Sequence, residues 1–382
     1  AIGYLSISAA NTGDENVGIG SGALQTNTSG YRNTGVGFTA LQSNTTGHGN
    51  TALGRNALIS NTTGIENIAI GKHSLHSNTT SSNNTAVGVA SMYHNSTGTG
   101  NVGLGFNAVA YNTTASNNTG IGYQSLGAEG SAFLTGGNNT ATGYRALYKN
   151  TTGTENTAVG SISLDANTTG NFNSAFGFDT LGSNTEGNSN TALGYEAMDT
   201  NTTGSNNVAV GKGSLDGNTT ADHNTAVGYH SLLVNSTGTR NVAVGSLALD
   251  ANTTANDNTA VGYGSLGVNT TGTQNAAFGS FSLDANTEGD NNTALGHGAL
   301  SSNTTANNNT AVGRHALFAN TTGTGNVAVG GASLDANTTG ADNVAVGYES
   351  LSANTEGDDN TAVGHDSLKS NTTGNNQVAV GS

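Results

Sequence analysis

The chain has 382 residues, of which 58 are Gly, none is Pro, Cys or Trp, and only 9% are charged. Scarce charge and absent Pro do not match intrinsic disorder, and the few large apolar residues do not match conventional globular domains. The net charge of −15, with nine Lys and Arg residues scattered singly, argues against nucleic acid and anionic membrane surfaces as partners. No run of residues is apolar enough for a membrane-spanning helix, so we expect no membrane insertion. These features predict an ordered, low-complexity repeat protein.

The repeat is N-[TV]-A-V-G-x-x-[AS]-L-x-x-N-T-T-G-x-x, and we number its positions 1 to 17 from the first Asn. Units begin every 17 residues from Asn16 to Asn118 and, after one longer unit, from Asn139 to Gln377. The run N-T-A-V-G has strand chemistry, N-T-T-G has turn chemistry, and the unit is too short for two helices. We therefore predict an all-β parallel β-solenoid, or β-roll, of about 22 coils. It would form one array over residues 1–382.

One unit departs from this period. Between Asn118 and Asn139, the segment Gly127–Gly137 replaces the N-T-T-G turn, and we predict an irregular loop insertion over residues 127–138. Insertions in solenoids emerge on one face, which is often a binding face, but we favour a tolerated loop that folds Phe133 and Leu134 back onto the solenoid, because loops accept insertions at little cost. Because the chain begins and stops in the middle of a coil, we expect a segment of a longer fibre.

The alternation of side chains along a strand places positions 2 and 4 on one face and positions 3 and 5 on the other. Position 4 and the Leu at position 9 are the predicted core. Ala or Gly at positions 3 and 5 would let a sister chain approach closely, and the Gly column should not tolerate larger residues for that reason. Position 12 is Asn in every regular unit, which predicts a ladder of side-chain amides from coil to coil.

Several residue types could form a site, and each has a simpler interpretation. Position 10 carries an Asp in six units, but calcium needs six to eight converging oxygens and no dense acidic repeat is present. His73, His230 and His315 share position 7 in distant coils, and the others, such as His76, scatter, so no metal pair is predicted. Asn-x-Thr strings such as Asn44–Thr46 are glycosylation acceptors only in a glycosylating host and otherwise turn residues. The six Asp residues at position 10 are Asp165, Asp199, Asp216, Asp250, Asp284 and Asp335. We predict no catalytic, cofactor-binding or metal-binding residues.

The N-[TV]-A-V-G-x-x-[AS] core resembles the head repeat of YadA-like trimeric autotransporter adhesins. It also resembles the N-T-A-x-G-x-x-A-L-x-x-N-T-T-G repeats of tail-fibre-like surface proteins of bacteria and phages. The resemblance covers essentially the whole chain. It implies a left-handed parallel β-roll, three of which associate about a common axis.

Three classes of function compete. The fold and composition favour a non-enzymatic structural or adhesive fibre, extracellular or on a cell surface. Its partners would be further copies of itself, as a homotrimer or filament continued end to end, and a host-surface or glycan receptor. An ice-binding solenoid is the alternative, although the paired Thr45 and Thr46 are adjacent and should point to opposite faces. A polysaccharide-processing β-helix enzyme would need carboxylates or aromatic residues clustered in a groove, and the sequence predicts none.

Overall fold

A computed structural model of the chain describes residues 1–7, 10–127 and 132–382. They form two compact units, Ala1–Asn190 (unit 1) and Thr191–Ser382 (unit 2). The predicted insertion at 127–138 is therefore seen only in part, and residues 128–131 lie outside the described residues. Within those residues there is no helix.

Each regular coil contributes one three-residue strand, formed by positions 2 to 4 of the repeat. The described part of unit 1 has β1 Val17–Ile19, β2 Thr34–Val36, β3 Thr51–Leu53, β4 Ile68–Ile70, β5 Thr85–Val87, β6 Val102–Leu104, β7 Thr119–Ile121, β8 Thr140–Thr142, β9 Thr157–Val159 and β10 Ser174–Phe176. Unit 2, which is described throughout, has β11 Thr191–Leu193, β12 Val208–Val210, β13 Thr225–Val227, β14 Val242–Val244, β15 Thr259–Val261, β16 Ala276–Phe278, β17 Thr293–Leu295, β18 Thr310–Val312, β19 Val327–Val329, β20 Val344–Val346, β21 Thr361–Val363 and β22 Val378–Val380.

Within each unit every strand pairs in parallel with the next strand along the chain, and equivalent repeat positions lie opposite each other. Val208 pairs with Thr225, for example, and Val210 with Val227. Neighbouring coils therefore lie at the parallel-strand spacing of about 4.8 Å. The predicted all-β parallel β-solenoid with a 17-residue repeat is confirmed.

The interior of the coil is lined by position 3 and position 9, not by positions 2 and 4. Ala294 and Leu300 are fully buried, whereas Leu295 at position 4 is 49% exposed. The prediction that position 4 forms the core, with the Ala/Gly face outward, is therefore wrong, while that for the position 9 Leu is confirmed. The interior is too thin for a larger residue at position 3, since a Cβ added to Gly120 would lie 2.5 Å from Cγ2 of Val109.

The Gly at position 5 is required by the chain itself. Gly228 has a φ of 140°, which L side chains rarely adopt, and an added Cβ would lie 2.5 Å from the carbonyl oxygen of Gly245 in the next coil. The explanation of the Gly column by a sister chain is therefore wrong. Position 9 is also left-handed, with φ 47° at Leu75 and 56° at Met198, a conformation that costs non-Gly residues about 1–2 kcal/mol each.

Two ladders of buried Asn side chains run through the coils. At position 12, Nδ2 of Asn286 donates to Oδ1 of Asn269 (2.9 Å) and to the carbonyl oxygen of Gly289 (3.0 Å), which confirms the predicted ladder. A second ladder, which was not predicted, lies at position 1. There the backbone N–H of Asn292 donates to Oδ1 of Asn275 (2.9 Å), while Nδ2 of Asn275 donates to the same Gly289 oxygen (2.7 Å). The position 15 carbonyl thus accepts from both ladders.

Part of the insertion packs back into unit 1. Leu134 is fully buried and pairs with Asn112, in the place of a ladder Asn, whereas Phe133 is 48% exposed. Phe133 nevertheless contacts the ring of His94 edge to face at 5.7 Å, so both residues fold back onto the solenoid as interpreted, Leu134 into its interior and Phe133 onto its surface. Because Leu has no amide, the position 12 ladder stops here, and Oδ1 of Asn112 is buried without a hydrogen-bond partner among the described residues.

Candidate functional site

The outward side chains of positions 2, 4 and 6 form a surface that we call the outer strand face. Positions 2 and 4 carry no charged residue in any unit, and position 6 carries mostly aromatic residues, Ser or cations, with one Val and one Gly, but no Asp or Glu. Tyr123 stacks between Phe106 (ring centroids 5.2 Å apart) and Tyr144 (5.6 Å). The large side chains exposed here include Phe38, Leu53, Leu104, Phe106, Tyr123, Tyr144, Phe176 and Phe178 in unit 1, and Leu193, Tyr195, Tyr229, Tyr263, Phe278, Leu295, Tyr348 and Val363 in unit 2. At positions 2 and 4 this face is largely apolar and uncharged, and large exposed apolar patches are typical of association surfaces.

A second surface, which we call the turn strip, consists of positions 7, 10 and 11. Opposite charges meet there on a diagonal, position 7 of one coil with position 10 of the next. Nη2 of Arg145 lies 3.5 Å from Oδ2 of Asp165, and Nζ of Lys369 bonds Oε2 of Glu349. His315 and Asp335 occupy the same diagonal, and burial raises the pKa of Asp335, an effect that His315 partly offsets. These pairs tie neighbouring coils together but lie near the surface, so each contributes little to stability.

In unit 1 the turn strip carries a cluster of His and aromatic rings. His76 stacks on Tyr93 (4.6 Å between centroids), Tyr93 contacts His94 (4.8 Å), and His94 stacks on Tyr111 (5.2 Å). Burial lowers the pKa of His76 and His94, so both favour the neutral form near neutral pH. The His residues are scattered along the sequence, but His73 and His76, at positions 7 and 10 of one coil, have ring centroids 5.4 Å apart.

In unit 2 the turn strip contains a cavity of about 320 Å³, which we call the slot. It opens over the coil that begins at Asn258, where positions 7 and 10 are Gly264 and Gly267. Asp250 lies at position 10 of the coil before and Asp284 at position 10 of the coil after. Other lining residues are Leu247, Ala251, Tyr263, Val268 and Phe281. The prediction that no groove combines carboxylates with aromatic residues is therefore wrong.

The slot exists because the central coil lacks side chains. The Cβ position of Gly267 lies 3.4 Å from Oδ1 of Asp250, so this carboxylate leans over the floor. The ring of Phe281 lies over Gly264, with its nearest atoms 3.4 Å from the Cβ position, and meets Tyr263 edge to face at 5.3 Å. Burial raises the pKa of Asp250. The result is a largely apolar depression with a carboxylate at each end.

The structure also places the other residues that the sequence singled out. Within residues 1–7, 10–127 and 132–382, no three His, Cys, Asp or Glu side chains converge as a metal site would require. Asn44, the first residue of one Asn-x-Thr string, is fully buried and cannot accept a glycan in the folded chain, whereas Asn83, the first residue of the string Asn83–Thr85, is exposed. The adjacent Thr pair does divide, because Oγ1 of Thr45 donates to the carbonyl oxygen of Thr62 (3.0 Å) while Thr46 is exposed.

No protein-family model matches this sequence. No curated protein sequence is significantly similar to it either. Across the described residues, no helix is long and apolar enough to cross a membrane.

Proposed function

We propose that the protein is a non-enzymatic structural and adhesive fibre protein, extracellular or on a cell surface, whose chains associate through the outer strand face. The observation that carries the proposal is the column of uncharged side chains, most of them apolar or Thr, that positions 2 and 4 of this face present coil after coil. Parallel sheets almost always have both faces covered, and here the outer face bears Val, Leu, Ile and Phe. A second chain supplies the missing cover, because its repeat has the same spacing along the stack.

The assembly we propose is a homotrimer, as the resemblance to YadA-like head repeats implies, with a laterally packed filament as the other arrangement. The Ala/Gly face is not the contact surface in either, since it lies inside the coil. Net negative charge is confined to the other surfaces, which keeps assembled fibres from associating further.

The experiment introduces charge on the outer strand face. The double substitution Val227→Lys and Val244→Lys should abolish assembly in analytical ultracentrifugation, while the far-ultraviolet circular dichroism of the coils is retained. Thr220→Lys and Thr237→Lys place the same charges at exposed position 14 and serve as the matched control, which should assemble like the parent. A cryo-EM cross-section that shows one isolated chain with the outer strand face open to solvent would contradict the proposal.

The extracellular location needs its own test. Antibodies to the purified chain should label intact cells or particles of the source, and external protease should remove the label. Labelling that requires permeabilisation would refute a surface location, whatever the state of assembly.

Ice binding is the second candidate, and one observation favours it. Thr at position 2, as in Thr225, Thr259 and Thr293, points outward beside the position 4 apolar side chain rather than into the core, so hydroxyl and methyl groups recur on an exposed sheet face. Thermal hysteresis in a freezing-point assay of the purified protein tests this candidate. Its absence would exclude ice binding and leave the fibre proposal untouched.

A further inference from the structure

We infer that the slot in unit 2 is a binding subsite for a single uncharged sugar ring of a glycan. This inference rests on the adhesive role proposed above, for which it names the receptor chemistry. The slot combines an apolar wall and aromatic edges, which suit the C–H face of a sugar, with two carboxylates that accept hydrogen bonds from hydroxyl groups. Its volume of about 320 Å³ is that of a small-molecule site.

The small number of oxygen ligands decides between a sugar and a cation. Asp250 and Asp284 belong to coils two steps apart, on either side of the Gly coil. Oγ of Ser301, in the coil beyond, donates to Oδ1 of Asp284 at 2.6 Å and holds that carboxylate at its own end of the slot. Calcium needs six to eight oxygen ligands, and no third His, Asp or Glu of the described residues joins these two carboxylates.

A hydroxylated ring suits two carboxylates that lie at opposite ends of an apolar depression. It carries hydroxyl groups on opposite edges, and each carboxylate can accept a hydrogen bond from one of them. A ligand that bears its own negative charge is excluded, because the two Asp residues would repel it.

The aromatic residues set how the ring enters. Tyr263 is 49% exposed and Phe281 is 41% exposed, so both rings present surface to the slot and to solvent. Their edge-to-face contact at 5.3 Å fixes the two ring planes nearly at right angles. A sugar can therefore stack on one ring while its edge meets the other, which gives the subsite a preferred orientation.

A single substitution at Gly267 can fill the slot without disturbing the backbone. Gly267 does not have a positive φ, and position 10 carries a full side chain in other coils, such as Leu233. The substitution Gly267→Leu should therefore fold normally and fill the slot. Ser352→Leu makes the same change at position 10 of a coil remote from the slot and is the matched control.

The experiment uses the full chain and the methyl glycosides of glucose, galactose, mannose, fucose, N-acetylglucosamine and sialic acid as probes. Saturation-transfer NMR and titration calorimetry should show saturable binding of at least one uncharged glycoside and none of the sialoside. Binding should be lost in Gly267→Leu, weakened at least about tenfold in Asp284→Asn because a charge-assisted hydrogen bond is lost, and unchanged in Ser352→Leu.

Two results would overturn the inference: no uncharged glycoside in the panel binds, or binding survives unchanged in Gly267→Leu. Either result leaves the fibre proposal standing, because that proposal is decided by ultracentrifugation of the outer strand face variants and by surface labelling. Conversely, outer strand face variants that lose assembly but still bind the glycoside would show that the slot binds its ligand independently of assembly.

Discussion

The position 12 ladder makes a quantitative prediction for Asn286→Asp. The substitution removes the two N–H groups that now donate to Oδ1 of Asn269 and to the carbonyl oxygen of Gly289, at 2.9 and 3.0 Å. Oδ1 of Asn269 is left without a donor, which costs about 1–3 kcal/mol, while the carbonyl oxygen of Gly289 keeps only its bond from Asn275. The buried carboxylate adds a desolvation cost. Only its contact with Nδ2 of Asn303 (2.8 Å) remains favourable. We expect a loss of about 4 kcal/mol in the free energy of unfolding at pH 7.

The pH dependence distinguishes this mechanism from simple loss of packing. Burial beside two carbonyl oxygens should raise the pKa of the new carboxyl above its unfolded value of about 3.9. Because this pKa is higher in the folded state than in the unfolded state, the loss in the free energy of unfolding grows as pH rises from the unfolded pKa to the folded pKa. It shrinks again as pH falls back through the same interval. Once protonated, the carboxyl can donate one hydrogen bond, so roughly half of the loss should be recovered.

Asn256→Asp is the matched control for this experiment. Oδ1 of Asn256 accepts from the N–H (2.7 Å) and the hydroxyl (2.9 Å) of Thr239 at position 16, and a carboxylate keeps both bonds. Asp290 makes the same two bonds to Thr273 in another coil. Urea unfolding of both variants and the parent, at pH 7 and at pH 4, measures the differences. Equal stability of the two variants at pH 7, or a loss in Asn286→Asp that does not change with pH, would refute the ladder argument.

Three further substitutions test the fold through the same unfolding assay. Gly228→Ala should cost about 2 kcal/mol or more because its φ is 140° and the added Cβ meets backbone, whereas Gly331→Ala, which has no positive φ, should be neutral. Asp335→Asn should stabilise the protein at neutral pH and lose that advantage at low pH, because burial raises the pKa of Asp335 and ionising it costs free energy in the folded state. Leu300→Ala should lower the free energy of unfolding by about 2–5 kcal/mol and Leu295→Ala by under about 1 kcal/mol. The reverse order would show that position 4, not position 9, lies in the core.

The repeat period made the architecture predictable, but it did not show which face of the strand points into the coil. An alternation of period two states only that Ala294 and Leu295 lie on opposite faces. A large apolar residue is normally assigned to the interior. The assignment failed because a 17-residue coil encloses too little space for a Leu at position 9 and another large side chain on the strand.

A signal for this arrangement was present in the sequence. Position 9 departs from Leu in four coils, as Ile7, Met92, Val109 and Met198, and after the first three of these position 3 of the next coil is Gly rather than Ala, whereas Ala209 follows Met198. A Cβ added to Gly103 would lie 3.2 Å from Cε of Met92. This compensation is expected only if positions 3 and 9 face each other.

The slot could not be found by reading the chain one residue after another. Its two carboxylates are 34 positions apart, and its floor depends on the absence of side chains at Gly264 and Gly267. Writing the sequence as stacked coils would have placed Asp250, Gly267 and Asp284 in one column. The same treatment would have revealed the position 1 ladder, where Asn recurs from Asn16 to Asn360 as regularly as at position 12.

The irregular coil of unit 1 explains why candidate sites lie on the turn strip rather than on the strand. Leu134 interrupts the position 12 ladder, yet the position 1 ladder continues through the same coil: the backbone N–H of Asn139 donates to Oδ1 of Asn118 at 2.9 Å across the longer spacing. The strand and its Asn thus hold the coils in register even where the turn changes length and composition. Substitution to Gly in the slot and to His and Tyr in the ring cluster also leaves strand pairing unchanged. A scaffold that fixes register on one side lets the other side differ from coil to coil, and it is this difference that can make one coil of a repetitive fibre recognise a ligand that its neighbours do not.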